Sequence, residues 1–188
     1  PIGKAFRGAF NDTQAQEMAG HAIAEAVKRS KVSKEEIDDV IIGAAGQQGS
    51  QQGNIARQSL LRAGLPVSVA GMSLDRQCAS GMMAIATAAK EITEDGMTIT
   101  VGGGVESVSL VRNENFRMDR ARDPWLEENI PSLYMTMIET AENVAKRYGI
   151  SRESQDEYSL QSQMRTAKAQ QNGYMDKEIV PLKSTMKY

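Results

Sequence analysis

"SLDRQCASGMMAIATAAKEI", residues 73–92, holds the only cysteine of the chain and decides how the fold is read. Polar residues lead up to Cys78, the small residues Ala79, Ser80 and Gly81 follow, and an alanine-rich helical run extends to about Ile92. Before it, "PVSVAGMSLD" is an extended run from Pro66 with strand-like alternation in its first part. After it, "MTITVGGG" reads as a buried strand. The lone thiol therefore stands where a strand gives way to a helix.

Outward from that point the same alternation continues. Residues 12–30 open on Asp12 and Thr13 as a cap pair, and Met18, Ala22, Ile23, Ala26 and Val27 then recur at helical spacing. "SKEEIDDV" adds a short helical turn, and "DVIIGAA" reads as a buried strand ending in Gly43. The loop "GQQGSQQGN" leads into a helix, "NIARQSLLRAG", capped by Asn54 and closed by Gly64. Helix, strand, helix, strand, helix, strand is the order of an α/β layered sheet with helices on its faces. Residues 104–136 break the rhythm with charge, Pro124 and Pro131, which marks a functional stretch or a separate subdomain. Helical segments follow at 137–148 and 151–172, the second capped by Ser151 and ended by Gly173. "DKEIVPL" is predicted to be a strand.

Bulk properties exclude more than they assign. At 188 residues the chain is long enough for a substantial core without a disulfide or metal staple. A formal net charge of -2 gives no reason to expect nucleic acid or an anionic membrane as partner. Basic residues are densest from Arg112 to Arg122, where interleaved acids suit either a solvated loop or a small anion-facing patch. One cysteine cannot pair internally, which points to a reducing, cytoplasmic setting. No leader-like segment and no apolar run near 18 residues occurs. The chain opens at Pro1 rather than Met, so residues upstream of it are expected.

In α/β sheets, ligands gather at the carboxyl ends of strands, in the loops that lead into helices. Cys78 sits in such a loop. The first turn of the following helix carries unpaired N–H groups and the positive end of the macrodipole, both of which favour negative charge on sulfur. Thiolate is the nucleophilic form. Small neighbours at Ala79, Ser80 and Gly81 leave room for an acyl group. The same position also suits a cysteine that is merely a small buried hydrophobe.

The segment around Cys78 resembles the acyl-enzyme stretch of the thiolases, with its C-x-S-G motif. "GNIARQSLLRAGLP", "ITVGGGVESVS" and "ETAENVAKRYGISRESQDEYSLQSQMRTAKAQQNGYMDKEIVPL" resemble further thiolase stretches, in family order, from Gly3 to about Leu182. The resemblance implies Cys78 as the nucleophile that takes an acyl group as thioester, with its N–H in the oxyanion hole. It implies a reversible Claisen condensation and thiolytic cleavage of 3-ketoacyl-CoA, in the realm of fatty acid metabolism. Coenzyme A thioesters enter as substrates, with no cofactor and no metal. The fold implied is a five-stranded mixed sheet between helix layers, duplicated in the whole enzyme, with homodimers or homotetramers that pair strands near the cysteine. Only an N-terminal half is expected here, because the N-E-A-F, G-H-P and second-cysteine C-x-G motifs of the family are missing. The resemblance implies a division into 1–111 as one domain, its opening strand missing, and 112–188 as the truncated start of a loop domain. The fragment alone is expected to be inactive and to expose large apolar surfaces.

Other residues carry narrower expectations. Many acetoacetyl-forming thiolases carry H-M-G before T-A-E-N; here Thr136, Met137 and Ile138 stand there, and Met137 keeps an apolar wall for the acyl group. Ser80 is a second candidate for substrate contact. Met135 and Ile138 serve equally well as packing residues. Asn54 and Arg57 are read as structural pairing near the site. Glu106 and Ser107 follow three glycines, but without G-x-G-x-x-G or a Lys-Ser/Thr the stretch is read as close packing, not phosphate binding. Arg112, Arg117, Arg120 and Arg122 are candidates for CoA phosphates or plain solvation. His21, the only histidine, falls mid-helix and is read as a packing or surface residue. Competing readings are a β-ketoacyl synthase, a non-catalytic thiolase-like assembly module and a peroxide-sensitive thiol protein.

Overall fold

A computed structural model of the chain describes residues 8–187. Contacts divide it into two compact units, one of residues up to Arg117 together with the segment from Val180, the other Met118–Ile179.

In the first unit a central strand, β1 (Asp39–Gly43), is buried along its whole length. It pairs in parallel with β2 (Ala70–Leu74) on one side and β3 (Thr100–Gly104) on the other, giving the order β2-β1-β3. Three parallel strands are thus described where the resemblance implies five in a mixed sheet. Helices lie between successive strands: α2 (Ile55–Arg62) between β1 and β2, and α3 (Ser80–Thr93) between β2 and β3. Each such crossover returns the chain in the same direction, so a parallel ladder results.

The two-residue period of β1 sends its side chains to opposite layers. Val40 and Ile42 join Ile23 and Val27 of α1 (Ala15–Ser30), Ile55 and Leu60 of α2, and Val69 in one core cluster. Ile41 points the other way, against Ala84 and Ala88 of α3. Helices therefore cover both faces, as the alternating pattern requires. No helix among the described residues is long and apolar enough to cross a membrane.

Several local expectations are corrected. The cap of α1 is Gln14, without a side-chain cap bond, not Asp12 or Thr13. The Asp12 carboxylate instead meets the Lys187 ammonium at 2.8 Å, and the Thr13 N–H donates to the Phe10 carbonyl. "DKEIVPL" forms no strand. Its first half is wound into turns, with the Glu178 and Ile179 N–H groups donating to the Met175 carbonyl, and Pro181 brings no N–H for a ladder. The segment beyond is tied to the opposite end of the chain: Asn11 donates from Nδ2 to the Lys187 carbonyl at 2.7 Å and accepts from the Lys187 N–H at 3.0 Å. The run after Pro66 first makes a turn, Val69 N–H to Pro66 carbonyl, and pairs only from Ala70.

The stretch read as irregular contains short helices, α4 (Val108–Val111) in the first unit and α5 (Pro124–Asn129) in the second. Within the second unit, α6 (Met137–Tyr148) begins with a reciprocal capping box between Thr136 and Glu139 and ends at Gly149 in the left-handed region. Helix α7 (Arg152–Gln171) is capped by Ser151, whose hydroxyl accepts from the Ser154 N–H. Neither helix buries a residue, and Met137, Ile138 and Tyr148 along α6 are open to solvent.

Gly102 explains how α3 comes so close to the sheet. A Cβ built there would lie 2.8 Å from the Ile85 Cα and 3.1 Å from the Ala88 Cβ. Gly102→Ala is expected to destabilise the chain by about 1–3 kcal/mol through overpacking. Urea unfolding monitored by circular dichroism measures this; an unchanged midpoint would contradict the close approach.

Candidate active site

Cys78 is exposed, four residues after the last residue of β2 and two residues before α3 begins. The turn that carries it is braced from within. Asp75 accepts the Gln77 N–H at 2.7 Å, a side-chain-closed turn of the kind Asp favours. Gln77 lies in the left-handed region at φ 50, an uncommon place for a residue other than glycine. The Ala79 N–H donates to the Arg76 carbonyl at 3.0 Å and the Ser80 N–H to the Gln77 carbonyl at 3.1 Å.

Ser80 closes the brace. It is 4% exposed; its hydroxyl donates to the Gln77 carbonyl at 2.6 Å and accepts from the Arg76 N–H at 2.8 Å. Its side chain is thus occupied on both sides within the loop. The cap position of α3 is Ala79, which has no side chain to offer. Among the described residues none accepts the Cys78 N–H.

This turn rests on the carboxyl ends of two strands. A Cβ on Gly43, the last residue of β1, would collide with the Ser80 carbonyl and the Gly81 amide. A Cβ on Gly104, the last residue of β3, would lie 3.1 Å from the Gly81 Cα and 3.2 Å from the Gly43 carbonyl. Beyond these glycines the neighbouring loops are bound to each other. Glu106 accepts from the Ala45 N–H at 2.9 Å and from Gln51 Nε2 at 2.5 Å, while Gln51 also donates to the Gly46 carbonyl at 2.8 Å and accepts from the Ser107 N–H at 2.5 Å. Glu106 therefore acts as a clamp between two strand-end loops. Its partner Gln51, 1% exposed, was not separable in the sequence from the other glutamines of its loop.

The flank of the site is fixed by α2. Asn54 caps that helix by accepting the Arg57 N–H at 3.0 Å, and also donates to the Gly71 carbonyl at 2.7 Å and accepts the Ser73 hydroxyl at 3.0 Å. Arg57 donates to the Val69 carbonyl and, at 2.9 Å, to the Val67 carbonyl. Both side chains fasten β2, the strand that delivers Cys78, to α2.

Remaining candidates lie elsewhere. Met137 is the first residue of α6 in the second unit and 74% exposed. Met135 accepts a 3.1 Å contact from Asn143 Nδ2 at its sulfur. Arg112 stacks on Phe116 at 5.4 Å, and Arg122 stacks on Tyr134 at 5.2 Å while pairing with Glu127 at 3.1 Å. The Arg117 N–H donates to Gln48 Oε1, and Arg120 occupies the left-handed region at φ 56. His21 sits on α1 with Nε2 buried. No group of three or more acidic, cysteine or histidine side chains suited to a metal occurs among the described residues.

The brace yields a prediction. Ser80→Ala leaves the Arg76 N–H without its buried acceptor and is expected to cost about 1–3 kcal/mol. With the turn loosened, the rate of Cys78 alkylation by iodoacetamide should change as well. Equal stability and equal alkylation rates in the two proteins would remove Ser80 from this role.

With that geometry in view, comparison with known proteins is specific. The family description "Thiolase, N-terminal domain" matches residues 1–188. The chain is 37% identical over 188 residues to the 3-ketoacyl-CoA thiolase of Bacillus subtilis, covering 99% of this chain and 47% of that protein. It is 38% identical over 202 aligned positions to the 3-oxoadipyl-CoA/3-oxo-5,6-dehydrosuberyl-CoA thiolase of Escherichia coli, covering 97% of this chain and 49% of that one. Among solved structures it superposes on the Bacillus anthracis acetyl-CoA acetyltransferase with a TM-score of 0.81 at 37% identity, across 97% of this chain and 49% of the other. The chain thus spans about half the length of the relatives it matches. An exposed cysteine on a braced strand-to-helix turn, in a sequence matched from end to end, makes this chain a member of the thiolase family and its N-terminal domain.

Proposed function

We propose that this chain is the nucleophile-bearing half of an acyl-CoA:acetyl-CoA C-acyltransferase, with Cys78 as the residue that carries the acyl group. The observation that carries this reading is the solvent-exposed Cys78, whose N–H finds no acceptor among the described residues. The sulfur, as thiolate, attacks the carbonyl carbon of an acyl-CoA. Charge then develops on the carbonyl oxygen, where the Cys78 N–H is a donor of the right kind. Collapse breaks the bond to the CoA sulfur, and CoA leaves as a thiolate that takes from solvent the proton the Cys78 thiol had given up, while the acyl group stays on Cys78. Thioester is exchanged for thioester, so the step is close to balanced and runs in either direction.

Ser80 is better read as a positioning residue than as a substrate contact, since both sides of its hydroxyl are engaged within the turn. Met137 keeps its place in the proposal as an apolar residue for the acyl chain, supported by its exposure. The second stage, removal of an α-proton or activation of CoA, needs a base, which the family resemblance assigns to motifs outside this sequence. His21, on α1 with a buried ring nitrogen, is not placed for it.

A homodimeric or homotetrameric whole enzyme working on CoA thioesters in the cytoplasm, in fatty acid metabolism, fits this reading. The names of the relatives support CoA thioesters as substrates, and the outer side of α3, where Met82 is 76% and Ile85 57% exposed, supports the association. Apolar side chains this open on the helix that follows the nucleophile favour association with further protein.

Incubation of the purified chain with acetyl-CoA, followed by mass spectrometry, is expected to give one acetyl adduct on Cys78 and none in Cys78→Ser. Steady-state thiolytic turnover is expected to be absent from the chain alone. An adduct-free Cys78, both alone and with a complementing C-terminal thiolase half, would favour an assembly module instead. Turnover by the chain alone that disappears in Cys78→Ala would refute the need for a second half.

A further inference from the structure

Two core carboxylates take no part in the chemistry proposed above. Glu91 lies on the sheet-facing side of α3, in the row of Ala84 and Ala88, and is 8% exposed. Its Oε2 is buried and meets no hydrogen-bond partner. Asp39 opens β1 at 9% exposure, with Oδ1 accepting the Val40 N–H at 2.6 Å. The two repel each other as like charges.

Among the described residues nothing nearby neutralises them. Lys90 and Glu94, the other ionisable residues of this end of α3, are exposed. Asp95, just past the helix, adds a further negative charge to the surroundings of Glu91. Strands β2 and β3 contribute no ionisable side chain. Asp38 is occupied, its carboxylate accepting the N–H groups of Thr98 at 2.7 Å and Ile99 at 3.1 Å. Among the described residues no lysine or arginine is set against Glu91 or Asp39. A buried carboxylate with an unpaired oxygen and a like-charged neighbour is destabilising, and the simplest relief is a proton.

We propose that Glu91 and Asp39 form a proton-accepting carboxyl pair beneath α3, so that this helix seats more tightly on the sheet in acid and less tightly as pH rises. Burial first, then Asp39 and Asp95, holds the Glu91 carboxyl above its ordinary value of 4.5. Burial likewise raises Asp39 above 3.8, against the opposing pull of the Val40 N–H. The sign follows. Each group binds its proton more tightly in the folded chain than in the unfolded one. Its favourable contribution is complete below the ordinary carboxyl value and is lost as pH rises through the higher folded one. This is the reverse of the usual surface carboxylate, and it acts on the helix whose other end follows Cys78.

Heat denaturation of the 188-residue chain between about pH 4 and pH 8 tests it. Glu91→Gln keeps the shape and removes the charge. Its Tm should exceed the wild type by about 2–4 °C at the alkaline end, with the gap closing at the acid end. Asp39→Asn should move in the same direction, and the double variant should gain less than the two singles together, because either one removes the shared repulsion. A carboxyl NMR titration of the wild type needs no variant, and one glutamate should titrate above 4.5. An offset between Glu91→Gln and wild type that stays constant with pH would overturn the proposal. So would a titration in which every glutamate falls at or below the ordinary value.

Discussion

Gly43 and Gly104 end adjacent strands, and the first turn of α3 lies directly on them. That approach, backbone on backbone with no side chain between, sets everything above it. A Cβ at Gly43 would lift Ser80 and Gly81, and with them the turn that presents Cys78. Close packing of this kind tolerates little change in volume, since interiors are filled to crystal-like density. The position of the sulfur is therefore decided by residues that have no functional groups. The polar residues around it, Ser80, Asp75 and Gln77, keep the turn in shape once the glycines have let it down onto the sheet.

Much of this was legible from local pattern. The parallel sheet follows from strands separated by helices, and the full burial of "DVIIG" follows from its unbroken apolar run. Asn54 and Ser151 stand where caps belong, and Gly64 and Gly173 end helices with positive φ. These are short-range effects, settled within a few residues. Expectations failed where the outcome depended on a distant partner. Asp12 looks like a cap but is drawn to Lys187, and "DKEIVPL" has a strand's composition without an edge to pair with.

The site divides along the same line. Cys78 was visible as the single thiol at a strand-to-helix junction, and the packing role read for "GGGVES" matches the way Gly104 meets Gly81. Gln51 and Glu106 were not visible as a pair, because 55 positions separate them and their loops converge only after the sheet has formed. The buried Glu91 was equally hidden. It follows Lys90 near the end of an amphipathic helix, where a charged residue ordinarily turns outward, and only the packed structure shows it on the inner side.

The way α3 begins links the fold to the chemistry. Helices α2, α5, α6 and α7 each start with a side chain that accepts one of the free N–H groups of the first turn: Asn54, Asp123, Thr136 and Ser151. At α3 the cap residue is alanine, and the two polar side chains in reach are turned elsewhere, Ser80 toward Arg76 and Gln77 and Asp75 toward the Gln77 N–H. An uncapped helix start costs about 0.5–2 kcal/mol relative to a capped one. Here it leaves N–H groups at the positive end of the helix beside an exposed thiol, which is where a reaction that develops negative charge on sulfur and then on a carbonyl oxygen needs them. Helices α1 and α4 also start without a side-chain cap bond, so what separates α3 from them is the exposed cysteine set beside its free N–H groups.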